Sequence, residues 1–321
     1  MHRGRWRWAL LACCLLASSP GAVPAAVACE PSSQAKSSAS VPTALIFSGG
    51  GAKGAYEAGV ASVFLSRGVP LRLVAGTSAG ALNATMVAAG QTELLEEMWR
   101  SLTREQVYFL RPSIFFAGLL PGWLTLWRLN QAGSLFDAGP LRALIEARVD
   151  LERVRRSPIH LLVVTADLSR RGKRLFDNQS LTVDALMAAV AVPGVFPPVA
   201  LEGALLFDGG LTGRAPVLEA LEAGVAVGRA VVVMSYADQE RGEPPTTIRR
   251  ALEEAFEMGM TNQIVRDVEL ARFKHPRVEV HLLAPARPLP LRPLQFDPVA
   301  MARALQQGKE DGLACLSRLG H

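Results

Sequence analysis

The sequence predicts an α/β fold, a three-layer sandwich in which helices cover both faces of a mostly parallel central sheet. Three observations predict this fold. From residue 42 onward short apolar runs alternate with amphipathic stretches, the runs are apolar throughout, and glycine-rich turns separate them from the helices. Half of the 321 residues are hydrophobic, which is ample for a large core and excludes a disordered chain.

The first 28 residues predict a secretory signal peptide. Arg and Trp alternate near the start, a short apolar run follows at 9–17, and Ala26-Val27-Ala28 has the small-x-small pattern of a cleavage site. The apolar run is too short to span a membrane. We therefore expect an exported protein that is periplasmic, anchored to a membrane as a lipoprotein, or secreted.

Residues 29–41 are rich in Ser and Ala and predict a flexible tether. The first of them, Cys29, directly follows the cleavage signature, which resembles the lipidation site of a bacterial lipoprotein. Ala26 stands where leucine is usual in such a site, so ordinary cleavage before an unmodified Cys29 stays open. Lipidation at Cys29 would keep the protein at a membrane.

Net charge and cysteine placement exclude two further classes of protein. The chain carries +5, but Arg3, Arg5 and Arg7 lie in the predicted signal, which leaves +2 and argues against nucleic-acid binding. Two of the four cysteines also lie in the signal, and the sequence has no CxxC motif or Cys/His cluster. We therefore expect neither a metal site nor a disulfide scaffold.

The remainder of the chain is predicted as one domain, with a catalytic core at 42–235 and a C-terminal helical and strand part at 236–321. The predicted strands are 44–47, 71–75, 159–165, 205–207, 230–234 and 278–283. The predicted helices are 55–67, 79–89, 140–149, 182–190, 216–223, 246–273 and 298–319. Strand and helix alternate along most of this order, which favours parallel pairing.

Residues 113–129 do not fit the alternation. They group Phe115, Phe116, Trp123 and Trp127, and Pro121-Gly122 interrupts them, so they cannot form a membrane span. One interpretation is a buried helical hairpin. The other is an apolar lid or a surface that docks on a lipid interface, because Trp and Phe favour the headgroup boundary.

A glycine block follows the first predicted strand and begins the first helix. Its residues are Gly49, Gly50, Gly51, Ala52, Lys53 and Gly54. The block matches the GxGxxG dinucleotide pattern, but after Glu57 the next acidic residue is Glu93, too far on to hold a ribose. Gly54 after Lys53 also excludes a P-loop. The glycines instead suit backbone amides that bind a negative oxygen, as in an oxyanion hole.

The second motif, Gly76-Thr77-Ser78-Ala79-Gly80, has the GxSxG pattern of a nucleophile elbow. The pattern alone is common, but here it lies between a predicted strand and a predicted helix, as an elbow requires. Ser78 is therefore a candidate nucleophile. A serine that only caps the helix is the alternative.

The third motif, Asp208-Gly209-Gly210, follows a short predicted strand, where α/β sheets often place functional side chains. A plain Asp-Gly turn is the alternative. A base is needed if Ser78 is a nucleophile, and only His275 and His281 follow Asp208 in the Ser–Asp–His order of ordinary hydrolases. Neither histidine lies in an obvious catalytic loop.

Together the glycine block, GTSAG, the segment AAVAVPGVFPPV at 188–199 and DGG resemble the patatin-like phospholipases, over most of 42–215. The resemblance implies a patatin-like sandwich, related to the α/β-hydrolases, and a Ser–Asp dyad with Ser78 as nucleophile and Asp208 as general base. It also implies an oxyanion hole in the glycine block, formed by backbone N–H groups around Gly50, Gly51 and Ala52, with Lys53 keeping the family's positive charge. Pro193 and Phe196–Pro198 would shape a wall near the dyad. One departure is Arg214, where the family often has Asn.

The resemblance predicts a lipid acyl hydrolase of the phospholipase A, lysophospholipase or esterase type, acting in lipid catabolism or membrane remodelling. Such a hydrolase needs no cofactor and no metal, and its partners would be a lipid substrate and a membrane surface. A catalytically degenerate lipid-binding lipoprotein is the alternative. The sequence leaves the head group, the acyl-chain preference and the oligomeric state open.

Overall fold

The computed structural model describes residue 29 and residues 40–118, 120–237 and 245–320. The predicted signal at 1–28 and all but the ends of the predicted tether therefore lie outside the described residues, and export stays a prediction. None of the helices among the described residues is both long and apolar enough to cross a membrane.

A central sheet of eight strands organises the described chain. The strands of the parallel part, in spatial order, are β10 (Glu279–Leu283), β9 (Arg229–Val233), β1 (Thr43–Phe47), β2 (Leu71–Gly76) and β5 (His160–Asp167). The antiparallel strands are β8 (Ala204–Asp208), β7 (Val199–Leu201) and β6 (Gly172–Phe176). Two-residue strands β3 (Phe109–Leu110) and β4 (Phe136–Asp137) pair separately. The sheet is mostly parallel, as predicted.

Eleven helices connect the described strands. They are α1 (Gly54–Ser66), α2 (Ala79–Ala88), α3 (Thr92–Ser101), α4 (Pro112–Ala117), α5 (Gly122–Gln131), α6 (Gly139–Arg148), α7 (Leu151–Arg155), α8 (Val183–Ala189), α9 (Val217–Glu222), α10 (Ile248–Lys274) and α11 (Pro298–Leu319). Asp297 and Thr247 cap α11 and α10 through their side-chain oxygens.

Buried residues form two main clusters, one on each face of the sheet. The larger cluster contains residues of α1, α2, α3, α8 and α11, and the smaller contains residues of α9 and α10. Strands β1, β9 and β10 alternate between the two clusters: Leu45 and Phe47 belong to one, Ala44 and Ile46 to the other. This arrangement confirms the predicted three-layer α/β sandwich.

The structure differs from the sequence prediction at Cys29. Its sulfur forms a disulfide with Cys315 near the end of α11, and both side chains are buried. A sulfur in a disulfide cannot also carry a lipid thioether, so the predicted lipidation of Cys29 disagrees with this structure. The unmodified Cys29 left open by the sequence agrees with it. The sequence predicts no disulfide scaffold and gives no indication of this single disulfide, because the two cysteines lie 286 positions apart.

The structure decides against one of the two interpretations of the aromatic segment at 113–129. Helices α4 and α5 form a helical hairpin, but its large side chains are not buried: Phe116 is 63% exposed, Trp123 74% and Trp127 51%. The buried-hairpin interpretation is therefore wrong. The stem of this hairpin is the β3–β4 pair.

Candidate active site

Ser78 lies on the sharp turn between β2 and α2. Its backbone has φ 53° and ψ −133°, a left-handed conformation that is costly for a residue with a side chain. The turn brings backbone into close contact, because a Cβ atom at Gly76 would lie 2.2 Å from the Gly80 carbonyl oxygen. The predicted elbow residues Gly76, Thr77, Ala79 and Gly80 therefore form a tight strand–turn–helix junction that holds Ser78 at the wall of a cavity.

Asp208 is the last residue of β8, where the register pairs it with Thr165 of β5. Its Oδ1 accepts a hydrogen bond from the Gly210 amide at 2.8 Å, and the Ser78 side chain lies beside this carboxyl group. Burial raises the pKa of Asp208, while the Gly210 amide, the Ser78 side chain and the nearby Arg214 charge lower it in part. The result is a buried carboxyl group that is a better proton acceptor than an exposed aspartate.

One segment, 188–199, holds Ser78 and Asp208 together. The Ser78 amide donates to the Ala189 carbonyl oxygen at 3.1 Å, and the Asp208 amide donates to that of Ala191 at 3.0 Å. Phe196 of the same segment lines the cavity. The resemblance assigns this segment only a place in the wall near the site. In the structure its backbone carbonyl groups also hydrogen-bond to the backbone of both Ser78 and Asp208.

The glycine block contributes fewer free amides than the sequence predicts. Only Gly50 and Gly51 of the six both line the cavity and keep their amides free of hydrogen bonds within the described residues. The amides of the other four donate elsewhere: Gly49 to Glu57 Oε1, Ala52 to the Pro293 carbonyl oxygen, Lys53 to that of Gly50, and Gly54 to that of Gly51. The predicted oxyanion hole is thus narrowed to Gly50 and Gly51.

The Lys53 ammonium lies beside the glycine block but is already paired. It forms an ion pair with Glu257 at 3.4 Å and lies over the Tyr236 ring, 4.1 Å from the ring centroid. Its side chain is buried. The positive charge expected at Lys53 is present, and Glu257 of α10 balances it.

Arg214, the departure from the family pattern, is buried at the same place. Its carbonyl oxygen accepts the Thr77 hydroxyl, and its Nη2 donates to the Tyr236 hydroxyl at 2.6 Å. Arg214 therefore connects the loop after Asp208 to Thr77 of the elbow and to Tyr236. The positive charge also favours the ionised form of Asp208.

A cavity of about 1010 Å³ opens from Ser78, Gly50 and Gly51. Its wall is mainly apolar and includes Met86, Met98, Trp99, Tyr108, Phe136 and Phe196. Four arginines also line it (Arg104, Arg148, Arg214 and Arg292), against the acidic Glu257 and Asp297. The cavity reaches the upper end of the range of about 300–1000 Å³ for small-molecule sites.

The described histidines lie away from this site. His160 begins β5, His275 follows α10, and His281 lies on the edge strand β10, and none of the three lines the cavity. Among the residues that the structure describes, no group of His, Cys, Asp and Glu side chains is arranged to hold a metal ion. Of the candidate bases considered in the sequence, Asp208 is the one that lies beside Ser78.

Comparison with known proteins identifies the family. The family model described as patatin-like phospholipase matches residues 45–221, more than half of the chain. The chain belongs to the patatin-like phospholipase family. The matched residues include the glycine block, the elbow and the Asp208 loop. These are the motifs on which the resemblance depends, and in the structure they lie close together.

Relatives extend this match at moderate identity. An uncharacterised NTE family protein of Mycobacterium bovis is 31% identical over 183 residues, which cover 57% of this chain and 46% of that protein. The uncharacterised protein YqhO of Bacillus subtilis is 28% identical over 262 residues, covering 74% and 85%. The chain therefore spans about half the length of its mycobacterial relative.

Among solved structures, VipD from Legionella pneumophila aligns over 91% of this chain and 70% of its own, with a TM-score of 0.46 and 14% identity. A human GIVD cytosolic phospholipase A2, in complex with methyl gamma-linolenyl fluorophosphonate, aligns over 88% and 60%, with a TM-score of 0.43 and 11% identity.

Sequence reasoning missed several residues around the patatin-like site. Glu57, Asn83, Ser235 and Pro293 all contact the glycine block or its supports. Only Glu57 had a signal in the sequence, because it is the one charged residue in the otherwise uncharged helix α1. The other three become visible only when distant parts of the chain are brought together.

Proposed function

We propose that this protein is a lipid acyl hydrolase in which Ser78 attacks a fatty-acyl ester and Asp208 is the general base. The observation that carries the proposal is that three features meet at one place. Ser78 lies on a strained elbow, the buried Asp208 carboxyl group lies beside it, and a large apolar cavity is lined by Ser78 and by Gly50 and Gly51 with their unpaired amides. Membership of the patatin-like phospholipase family supports it.

In the proposed reaction Asp208 accepts the Ser78 proton as the Ser78 oxygen attacks the ester carbonyl carbon. The free Gly50 and Gly51 amides at the cavity would stabilise the carbonyl oxygen as it becomes negative. Collapse of the tetrahedral intermediate releases the alcohol, protonated through Asp208, and leaves an acyl-Ser78 enzyme. Water that Asp208 deprotonates then attacks this ester, and the fatty acid leaves.

The cavity supports a fatty-acyl substrate. Its apolar wall suits a hydrocarbon chain, and its arginines outnumber its acidic residues, which suits a lipid with a negative head group. The phospholipase, lysophospholipase and esterase activities share this site chemistry. We propose a role in lipid catabolism or membrane remodelling on the same basis.

We also propose that the enzyme works at a membrane surface, through helices α4 and α5. The Phe and Trp side chains of this hairpin are exposed, and between Glu105 and Asp137 the chain carries Arg111 and Arg128 but no acidic residue. Aromatic rings with flanking arginines suit the headgroup region of an anionic bilayer. Tyr108 and Phe136 at the stem line the cavity, which connects the hairpin to the site.

Export is part of the same proposal. The pattern at 1–28 is typical of a signal peptide, and the disulfide between Cys29 and Cys315 supports an oxidising compartment. Cys29 would then be the first residue of the mature chain and would enter the disulfide without lipidation.

Two substitutions test the catalytic proposal. Ser78→Ala and Asp208→Asn should each reduce hydrolysis of a soluble p-nitrophenyl acyl ester by about a thousandfold or more, because each removes a group that takes part in bond making. Wild-type melting temperatures would show that the fold is kept. Full activity in Asp208→Asn would overturn the dyad, and no turnover by the wild type would favour a non-catalytic lipid-binding protein.

A further inference from the structure

A second carboxyl group, Glu57, lies buried behind the glycine block and takes no part in the reaction described above. It is on the first turn of α1, and its side chain has no exposed surface. Four donors surround it: its Oε1 accepts from the Gly49 amide at 2.8 Å, the Ser235 hydroxyl at 2.9 Å and the Ser48 hydroxyl at 3.0 Å, and its Oε2 accepts from Asn83 Nδ2 at 3.1 Å.

The bond to Gly49 determines how the glycine block is oriented. Gly49 has φ 72°, and its amide is turned inward to Glu57 Oε1. The next two amides, of Gly50 and Gly51, are the ones left free at the cavity. The Glu57 carboxylate therefore fixes the start of the loop whose following amides face the proposed substrate carbonyl.

The bond to Asn83 connects the same carboxylate to the nucleophile. Asn83 lies on α2, the helix that begins directly after Ser78. Its Nδ2 also donates to the Gly54 carbonyl oxygen at 3.0 Å, and its Oδ1 accepts from the Trp99 indole at 2.8 Å. The Glu57 carboxylate is thus hydrogen-bonded to Gly49 of the glycine block through Oε1 and to Asn83 of α2 through Oε2.

The donor set favours the carboxylate form of Glu57, which is the form present above its pKa of about 7 and therefore at pH 8. All four partners can present an N–H or O–H to Glu57, and none of the basic side chains that the structure describes forms an ion pair with it. A glutamine of the same shape would place its NH₂ either against Asn83 Nδ2 or against the Gly49 amide, so two donors would meet in both orientations. Asn83 cannot simply be reversed, because its present orientation also serves Gly54 and Trp99.

We propose that Glu57 is a positioning residue that sets the distance between the Ser78 oxygen and the Gly50 and Gly51 amides. This inference rests on the proposed hydrolase function and adds a residue to it. Displacement of reacting groups by about 1 Å costs about a hundredfold in rate, and loss of one oxyanion donor costs about 10²–10³. The effect belongs to the transition state, because the acyl chain is bound by the cavity wall.

The test is Glu57→Gln, assayed at pH 8 with a p-nitrophenyl acyl ester. We expect kcat to fall by about a hundredfold, with KM changed by less than about twofold. Ser235→Ala removes a single donor to the same oxygen and should lower kcat in the same direction by a smaller factor. If Glu57→Gln does not fold, the kcat of Ser235→Ala still tests the proposal.

Asp311→Asn is the matched control. Asp311 is also a buried acid that contacts α1, but its partners are the Tyr56 hydroxyl and the Ala286 amide. We expect this variant to lose thermal stability and keep the wild-type kcat. A purely structural role for Glu57 would instead lower kcat in both carboxyl variants by similar factors for similar losses of stability.

The outcomes separate the two proposals. Wild-type kcat in Glu57→Gln and Ser235→Ala, beside an inactive Ser78→Ala, would overturn the positioning role and leave the hydrolase function in place. A Ser78→Ala variant that keeps full activity would overturn the hydrolase function and this inference with it. A selective fall in kcat in the Glu57 and Ser235 variants supports both.

Discussion

At the scale of single residues, the proposed oxyanion hole depends on which backbone amides of the glycine block stay free of hydrogen bonds, and contacts with distant parts of the chain decide this. Ser78 and Asp208 could be found from the sequence because each lies in a short local motif. The free amides could not, since the Ala52 amide is used by Pro293, about 240 positions along the chain. The resemblance places the oxyanion amides around Gly50, Gly51 and Ala52, and within the described residues only Gly50 and Gly51 of the block line the cavity with unpaired amides.

The buried Glu57 also predicts a pH dependence of stability. Burial raises its pKa from 4.5 to about 7, and hydrogen bonds from Ser235, Ser48, Gly49 and Asn83 lower it in part. The folded protein therefore holds this proton at pH values where the unfolded chain has released it. The resulting stabilisation is complete below pH 4.5 and is lost as the pH rises through about 7.

We expect this group to reduce the free energy of unfolding by about 3 kcal/mol between pH 4.5 and pH 8. Urea denaturation of the wild type and of Glu57→Gln across this range would measure it, because the variant lacks the titrating group. As the pH rises from 4.5 to 8, the free energy of unfolding of the wild type should fall relative to that of Glu57→Gln. Parallel curves would show that Glu57 does not change ionisation in this range.

At the scale of elements, most predicted helices and strands lie within one or two residues of their observed bounds, because their apolar periodicity is strong. Most of the elements that were missed are short or lie at edges: β6 and β7 pair antiparallel at one side of the sheet, β3 and β4 have two residues each, and α7 has five. Helix α3 was missed although Leu95, Met98 and Trp99 bury one face with helical spacing.

The exposed hairpin of α4 and α5 gives a prediction at this scale. Replacing Trp123 and Trp127 with Ala removes two aromatic side chains that are 74% and 51% exposed, so the core loses little. We expect weaker sedimentation with anionic phosphatidylglycerol vesicles and slower hydrolysis of vesicle lipids, while a soluble ester is cleaved at the wild-type rate.

The matched control for the hairpin is Phe273→Ala, an aromatic residue that is 84% exposed near the end of α10, outside the hairpin. This variant should bind vesicles like the wild type. Equal losses on vesicles and on the soluble ester in the Trp variant would show that the hairpin supports the site structurally and does not dock on lipid.

At the scale of the whole molecule, the sequence is sufficient for the fold class but not for the connection between the chain's two ends. Helix α11 packs along α1, and its Cys315 is bonded to Cys29. The two cysteines are 286 positions apart and belong to no local motif, so sequence spacing could not pair them.

The disulfide predicts a redox-dependent stability. A disulfide typically stabilises a protein by about 2–4 kcal/mol, with larger values for long loops. Dithiothreitol should therefore lower the melting temperature of the oxidised wild type by several degrees, and it should have no effect on Cys29→Ser/Cys315→Ser. Insensitivity of the wild type to the reductant would contradict the disulfide.

The contact between Pro293 and Ala52 has a consequence for how the protein is made. The glycine block is encoded near the start of the chain, yet Ser235 and Pro293, which hold it in place, come from its last third. A ribosome-bound chain that ends before residue 293 has Ser78 and Asp208 but lacks part of the scaffold around them. We therefore expect the glycine block to reach the conformation that the proposed hydrolysis needs only late in synthesis, after residue 293 has left the ribosome.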